Sequence, residues 1–440
     1  MQASPCVRAL DGASCSYIIQ FLSLSEAEKT VGYTSDEAEF HRYKVVIYPS
    51  DFFNSEIYGT KKSLPQLPLA YFEEIPVLFG EPKVERKGNT IILHADIIAG
   101  TYFLISRYEE TICRDTRDAH GRFPGKQSLP FRAGFIHRPI VDEYGKLLRK
   151  LLREQGVNMQ EPKAEIRKIY LTHDVDMIAR YRNLRGFAGA LLKNPSQLKM
   201  ALKTCFGTIE NDPWFTFNWL FKQNNSLKNK DVETIFFIKT EGGNYREDKP
   251  NQNIESKDYQ FLYRLLKQND AQIGLHASYE AGVYPELIFL EKKLLEKASN
   301  TKINCNRHHF LASREPKDMQ ALIDAGIFAD FTMGYADVAG FRLGTCRSVR
   351  WINPATKELT SLTLHPLTAM DGSLSDSRYM NLSETEAYDY AVKLIDETAK
   401  HNGDLCLLWH NTAVAEGSGY HRNLYEKLIH KLSVISCQKL

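Results

Sequence analysis

Apolar and polar residues follow two different rhythms along this chain, and the change from one to the other falls near residue 165. Before it, KVVIYPS (44–50), IPVLFG (75–80) and NTIILHADII (89–98) are short apolar segments broken by glycine and proline, which predicts the strands of a small α+β domain. VDEYGKLLRKLLREQG (141–156) carries apolar residues at helical spacing and stops at a glycine, so it predicts a closing helix ahead of the polar linker EPKAEIRK. After 165 the pattern becomes strand, helix, strand, helix. The predicted strands are 168–176, 233–240, 271–278, 302–310, 328–335, 358–370 and 403–411, with helical patterns at 259–268, 285–299, 316–326 and 384–403. Parallel βα units are expected from that alternation, so the chain divides into residues 1–164, an α+β domain, and residues 165–440, an α/β barrel.

Composition adds mainly exclusions. Hydrophobic residues at 43% and aromatics at 11% suffice for a buried core, and 56 Lys+Arg against 54 Asp+Glu leaves a net charge of only +2. Binding to nucleic acid through bulk charge is therefore not expected. The longest apolar runs, such as IFFI (235–238) and CLLW (406–409), fall far short of the roughly 18 residues of a transmembrane segment. The N-terminus, MQASPCVRALDGASCSYIIQF, lacks the order of a secretory signal, which reads as a cytoplasmic protein. Eight scattered cysteines without a CxxC pair predict neither a disulfide framework nor a thiolate zinc site. The amphipathic stretch 184–207 reads as a helix packed on the barrel, with a lid or a peripheral membrane contact as alternatives.

The chemistry gathers at strand ends. HDVD, LHAS, NRHH, LHP and LWHN each close an apolar strand, and a parallel barrel brings such ends together at one face. Nine of the thirteen histidines (173, 276, 308, 309, 365, 401, 410, 421, 430) follow residue 165. Asp174 and Asp176 point to the same side of an extended strand, where two carboxylates repel unless a cation or a proton lies between them. Imidazole and carboxylate together suit a divalent metal, with Zn²⁺ the expected ion. The alternatives are ordinary: a turn or cap for the aspartates, a satisfied core position for His276, and packing at the barrel mouth for His410. Adjacent His308 and His309 point to opposite sides, so only one is expected to reach the site.

Taken in order, THDVD (172–176), GLHASY (274–279), NRHHF (306–310), DFTMGYADVAGFRLGT (330–345), MDGSL (370–374) and LWHNT (408–412) resemble the polysaccharide deacetylase superfamily of carbohydrate esterases. These enzymes remove N- or O-acetyl groups from sugars on a distorted (β/α)7 barrel. The resemblance spans roughly 165–440, and FLISRYEET to RPIVDEYG (103–145) is similar to an extra N-terminal domain of a divergent bacterial branch. It implies that Asp174 is the catalytic base, Asp176 and His276 are metal ligands, Arg307 pairs with the base and His410 is the general acid. The superfamily's second histidine, four residues after the first, is replaced here by Glu280. The third ligand is therefore expected to be His309, with Glu280 as the alternative. Asp330 is the residue expected to steady His410, with Asp337 behind it.

On this reading the metal polarises water and carbonyl, Asp174 removes a proton, and His410 protonates the departing amine or alcohol. Tyr279, Tyr335 and Trp409 are candidates to stack on a sugar face, or to pack the mouth. The expected partner is an acetylated sugar or glycan intermediate. Two other readings stand beside it: a hydrolase of other non-peptide C–N bonds, and a carbohydrate-binding or assembly protein with a weakened metal site.

Overall fold

The computed structural model describes residues 10–27, 29–182, 189, 198–227, 231–240 and 243–435. Its first part holds β1 (Val31–Tyr33), β2 (Val45–Ile47), β3 (Ala70–Phe72), β4 (Ile75–Val77), β5 (Gly80–Lys87) and β6 (Thr90–Ala95). Four of them form a sheet in the order β1-β2-β6-β5, parallel except for β5, while β3 and β4 pair as a separate hairpin. The apolar stretch 89–98 is not one strand. Asp96 ends β6 and caps the helix Ile97–Ile105, its carboxylate accepting the Ala99 N–H. The helix Ile140–Glu154 buries Ile140, Tyr144, Leu147, Leu148, Leu151 and Leu152 along one stripe, as its spacing predicts.

The second part is a nine-stranded sheet: β7 (Lys168–Val175), β8 (Val232–Lys239), β9 (Gln272–Ala277), β10 (Cys305–His308), β11 (Ala329–Met333), β12 (Val349–Ile352), β13 (Leu359–Pro366), β14 (Ala369–Met370) and β15 (Asp404–Leu408). The order is β12-β13-β11-β10-β9-β8-β7-β15-β14, and every pairing is parallel except that of β12 with β13. Each predicted strand after 165 corresponds to one of these, although 358–370 splits in two. Leu367 donates its N–H to Met333 O (3.0 Å) and Thr368 to Cys406 O (2.9 Å), so the chain crosses there from one side of the sheet to the other. The two sides meet at this crossing, and the sheet is curled and barrel-like.

A continuous apolar cluster runs from the first part into the second, and buried ion pairs lock the seam. Glu110 accepts from Arg342 Nε (2.9 Å) and from Arg107 Nε (3.1 Å). Asp142 accepts from Arg347 Nε and from the Thr345 hydroxyl (2.8 Å). Burial opposes the charge on Glu110, yet Arg107 and Arg342 outweigh it and hold the carboxyl down at about 2. Most of the stretch 184–207 lies outside the described residues; its last part is the helix Leu198–Phe206, which buries Ala201 and Thr204. Among the described residues no helix is long and apolar enough to cross a membrane.

Candidate metal centre

Strand β7 alternates its side chains. His173 turns into the outer layer, with Nδ1 2.9 Å from Trp409 O and Nε2 3.1 Å from the Asn224 amide, and is a core residue. Thr172 and Asp174 face inward. Arg307, fully buried at the end of β10, donates through Nη1 to Thr172 Oγ1 (2.8 Å) and Asp174 Oδ1 (3.1 Å), and through Nε to Phe331 O (3.1 Å). Its guanidinium stacks 4.7 Å from the centre of the Phe237 ring.

Beside this pair lie Asp176, His276 and His309. His276 Nδ1 is 2.9 Å from Arg307 O, and a carbonyl can only accept, so Nδ1 carries the proton and Nε2 offers its lone pair. His309 repeats the arrangement. Its Nδ1 meets Asp248 Oδ1 at 3.0 Å, and burial lowers its pKa and favours the neutral ring. Both Nε2 atoms face Asp176 Oδ1 at 3.3 Å. The inner nitrogens of both rings thus converge on one carboxylate oxygen. Asp176 Oδ1 and His276 Nε2 are buried and without a hydrogen-bond partner among the described residues, which an arrangement of neutral groups would not tolerate. The three donor atoms lie within 4.8 Å of one another, and the set of one carboxylate and two imidazoles fits a divalent cation such as Zn²⁺. The outer nitrogens are fixed by a carbonyl and by Asp248, as in the supporting layer of metal centres.

On the other wall His410 follows β15. Its Nδ1 lies 2.8 Å from Asp371 Oδ1, and its backbone N–H donates to Asp371 Oδ2 at 2.8 Å. Burial lowers an imidazole pKa, but the attraction of Asp371, Asp176 and Asp174 is larger, and His410 is pushed up to about 10. A pocket of about 220 Å³ opens between the walls, lined by Asp174, Asp176, His309, His410, Phe310, Met370, Tyr379 and Arg122 among others.

Several placements differ from expectation. Asp330 does not reach His410: it accepts from the Asn306 amide (2.8 Å) and the Thr332 hydroxyl (2.8 Å) inside the sheet, and Asp371 occupies the place beside the histidine. Asp337 accepts the N–H groups of Gly125 (2.7 Å) and Lys126 (3.1 Å) at the seam. The Glu280 carboxylate lies against Gly243, outside the ligand group. Tyr335 is buried beneath Arg342, and Trp409 is fully buried with its indole N–H on His421 O (3.1 Å), so neither can offer a face to a sugar. Tyr279 is 7% exposed under the Arg314 guanidinium. The aromatic rings that do line the pocket are Phe310 and Tyr379. His308 contacts Asn306 (3.0 Å) and stays outside the group, leaving His309 as the member of the pair that enters it. Two functional candidates went unread in the sequence. Asp371 lies inside MDGSL, a segment singled out as a motif without a role for its acid, whereas Asp248 sits in a polar loop that carries no signal.

A second triplet, Glu143, Glu397 and His401, also meets the distance condition for a metal. Glu143 is already bound twice by Arg138 (3.0 and 2.6 Å), and Glu397 is approached by Lys400 (3.2 Å).

In comparison with known proteins, a family described as "Family of unknown function (DUF7033)" matches residues 11–157. No curated protein matches the chain. Among solved structures, one from Mycobacterium smegmatis assigned as a polysaccharide deacetylase is similar at TM-score 0.41 and 12% identity, over 62% of this chain and 86% of that one. Puue allantoinase gives TM-score 0.38 and 12% identity over 63% and 89%. A structure from Pseudomonas aeruginosa PAO1, also assigned as a polysaccharide deacetylase, gives 0.37 and 11% over 64% and 90%.

Proposed function

We propose that this chain is a metal-dependent hydrolase that removes an acetyl group, N- or O-linked, from a sugar or glycan intermediate. Residues 165–440 act as a distorted (β/α)7 barrel of the polysaccharide deacetylase kind, and residues 1–164 as a distinct N-terminal domain. The observation that carries the reading is the convergence, around one pocket, of a donor set (Asp176, His276, His309) with a carboxylate paired to a buried arginine and a protonated histidine backed by a carboxylate. The motif resemblance across 172–412 supports it independently.

When bound by Asp176, His276 and His309, a divalent ion supplies Lewis-acid polarisation of the acyl carbonyl and acidifies water. Asp174 takes the proton of the attacking water. Arg307 holds one oxygen of that carboxylate at 3.1 Å and leaves Oδ2 turned toward the His276 side, 3.6 Å from Nε2, where the base is needed. His410, charged at neutral pH because its pKa is near 10, gives its proton to the departing amine or alcohol on the opposite wall. Asp371 fixes the ring through Nδ1, so the transferable proton is on Nε2. Phe310 and Tyr379 present ring surface suited to a sugar face.

The test is acetate release from N- and O-acetylated sugars by the metal-loaded protein and by Asp174→Asn. The wild type releases acetate, and loss of the base lowers kcat about 10²- to 10⁴-fold with the metal retained. A metal-loaded wild type that turns over none of these substrates contradicts the reading.

A further inference from the structure

The first part of the chain sends one side chain into the pocket wall. Arg122, 6% exposed, stands in the tight loop Asp118–Arg122, which closes on itself through Asp118 N–H to Arg122 O (2.9 Å). The Asp118 carboxylate accepts the backbone N–H of His120 (2.9 Å) and of Arg122 (2.9 Å), and receives Arg122 Nε at 2.8 Å. The guanidinium is therefore aimed before it meets the barrel. There Nη1 donates to the carbonyl of Phe310 (2.7 Å) and Nη2 to the hydroxyl of Tyr379 (3.1 Å). These are the two aromatic residues of the pocket, and Phe310 directly follows His309.

The backbone at that point needs holding. Phe310 and Leu311 both lie in the left-handed region, with φ of 60° and 52°, and neither is glycine. Such conformations persist only where the surroundings over-determine them, and they concentrate at functional sites. Turning the chain this way lets His309 face Asp176 while the Phe310 ring lies back against it, centroids 4.7 Å apart. The Arg122 contact to Phe310 O is the hydrogen bond that fixes the strained residue from outside the barrel. His120 of the same loop packs 5.0 Å from the Phe310 ring and accepts Arg314 Nε through its carbonyl (2.9 Å).

We propose that Arg122 is a positioning residue of the hydrolytic site, supplied by the N-terminal part: it locks the turn after His309 and orients the Tyr379 hydroxyl at the pocket mouth. This rests on the metal centre proposed above. It gives the N-terminal part a role at the site, since Arg122 adds a bond to Phe310 O from across the seam to the turn's own bonds, Ala312 N–H to His309 O (3.1 Å) and Ser313 N–H to Leu311 O (2.9 Å).

The test uses full-length protein and Co²⁺ as a spectroscopic probe, titrated into wild type, Arg122→Met, Arg122→Lys and Lys126→Ala. Methionine keeps the packed stem and removes the donors; lysine restores a donor that cannot span both partners. Lys126→Ala removes the neighbouring bond to Tyr379 O (3.1 Å) and leaves Phe310 untouched. The expected result is Co²⁺ affinity about 10- to 100-fold weaker and an altered visible spectrum in Arg122→Met, intermediate values in Arg122→Lys, and wild-type behaviour in Lys126→Ala. If Arg122→Met lowers only the melting temperature and the folded protein binds Co²⁺ with wild-type affinity and spectrum, the role of Arg122 is overturned while the metal centre stands. If Arg122→Met does not fold, Asp118→Asn loosens the same clamp from behind, and wild-type Co²⁺ behaviour there overturns the proposal equally. A wild type that takes up no Co²⁺ removes the metal centre and the role of Arg122 with it.

Discussion

Asp176, His276 and His309 at the sheet's C-terminal ends and Glu143, Glu397 and His401 at the seam each bring carboxylate and imidazole donors within 4.8 Å of one another, in different surroundings. In the first, each histidine spends its outer nitrogen on a fixed acceptor, and the inner nitrogens converge on a carboxylate oxygen that nothing else satisfies. The cations of the pocket walls are committed to other carboxylates, Arg307 to Asp174 and the His410 imidazolium to Asp371. In the second, Arg138 takes both oxygens of Glu143, and Lys400 lies on Glu397, so the negative charge is already compensated. Closeness of donors is thus a weak criterion. What separates a cation site from an ion-pair cluster is a deficit of positive charge around buried lone pairs.

The largest effect is expected from Asp176→Ala, which removes the oxygen shared by both histidines: bound metal and acetate release should both be lost, measured by elemental analysis and by product assay. Glu397→Ala should leave both unchanged, and metal loss there would break the contrast. A smaller effect follows from Asp248→Asn. It keeps the shape but puts a neutral acceptor in place of the charged one behind His309 Nδ1, and should weaken metal binding about 10- to 100-fold in a chelator competition.

Asp371→Asn should act on pH dependence more than on metal. The His410 pKa is raised to about 10, so the acid stays protonated through neutral pH and kcat/KM should hold on the alkaline side until that value is approached. Without the carboxylate the alkaline limb should fall toward the ordinary imidazole value of about 6.5. The sign for stability is the same. A raised imidazole pKa favours folding most below about 6.5, and the benefit disappears as pH rises through about 10, so Asp371→Asn should flatten that alkaline loss of stability in thermal melts. The smallest effect, no change in metal affinity, is expected for Lys400→Ala beside the second triplet.

Much of the barrel could be read from the sequence because strands covered on both faces are continuous apolar runs, and their polar last residues mark one end of the sheet. The edge strands were hidden for the opposite reason. β5, GEPKVERK, is largely exposed and offers no apolar run, and β12 joins antiparallel where the alternation predicts only parallel units. At the site, residues bound to strand ends were legible and residues on connections were not. Asp248 ends the short 3-10 helix Arg246–Asp248 and Asp371 opens the helix Asp371–Ser375 directly after β14, positions that no apolar periodicity marks. Asp330 sits on a strand, yet its carboxylate is spent on Asn306 and Thr332 within the sheet. Trp409 and His410 teach the same lesson at one-residue scale: neighbours on an extended chain face opposite ways, so the histidine meets the pocket and the indole meets the outer helices. The contribution of Arg122 could not be seen without the fold, because it acts across 188 positions of sequence on Phe310.

The central claim is that the charge-deficient triplet, and not its compensated counterpart, holds a metal. The direct test is the metal content of purified wild type beside His309→Ala and His401→Ala. About one equivalent of a divalent ion should be present in wild type and in His401→Ala and absent from His309→Ala. Metal retained in His309→Ala, or a wild type that holds none after reconstitution, contradicts the account.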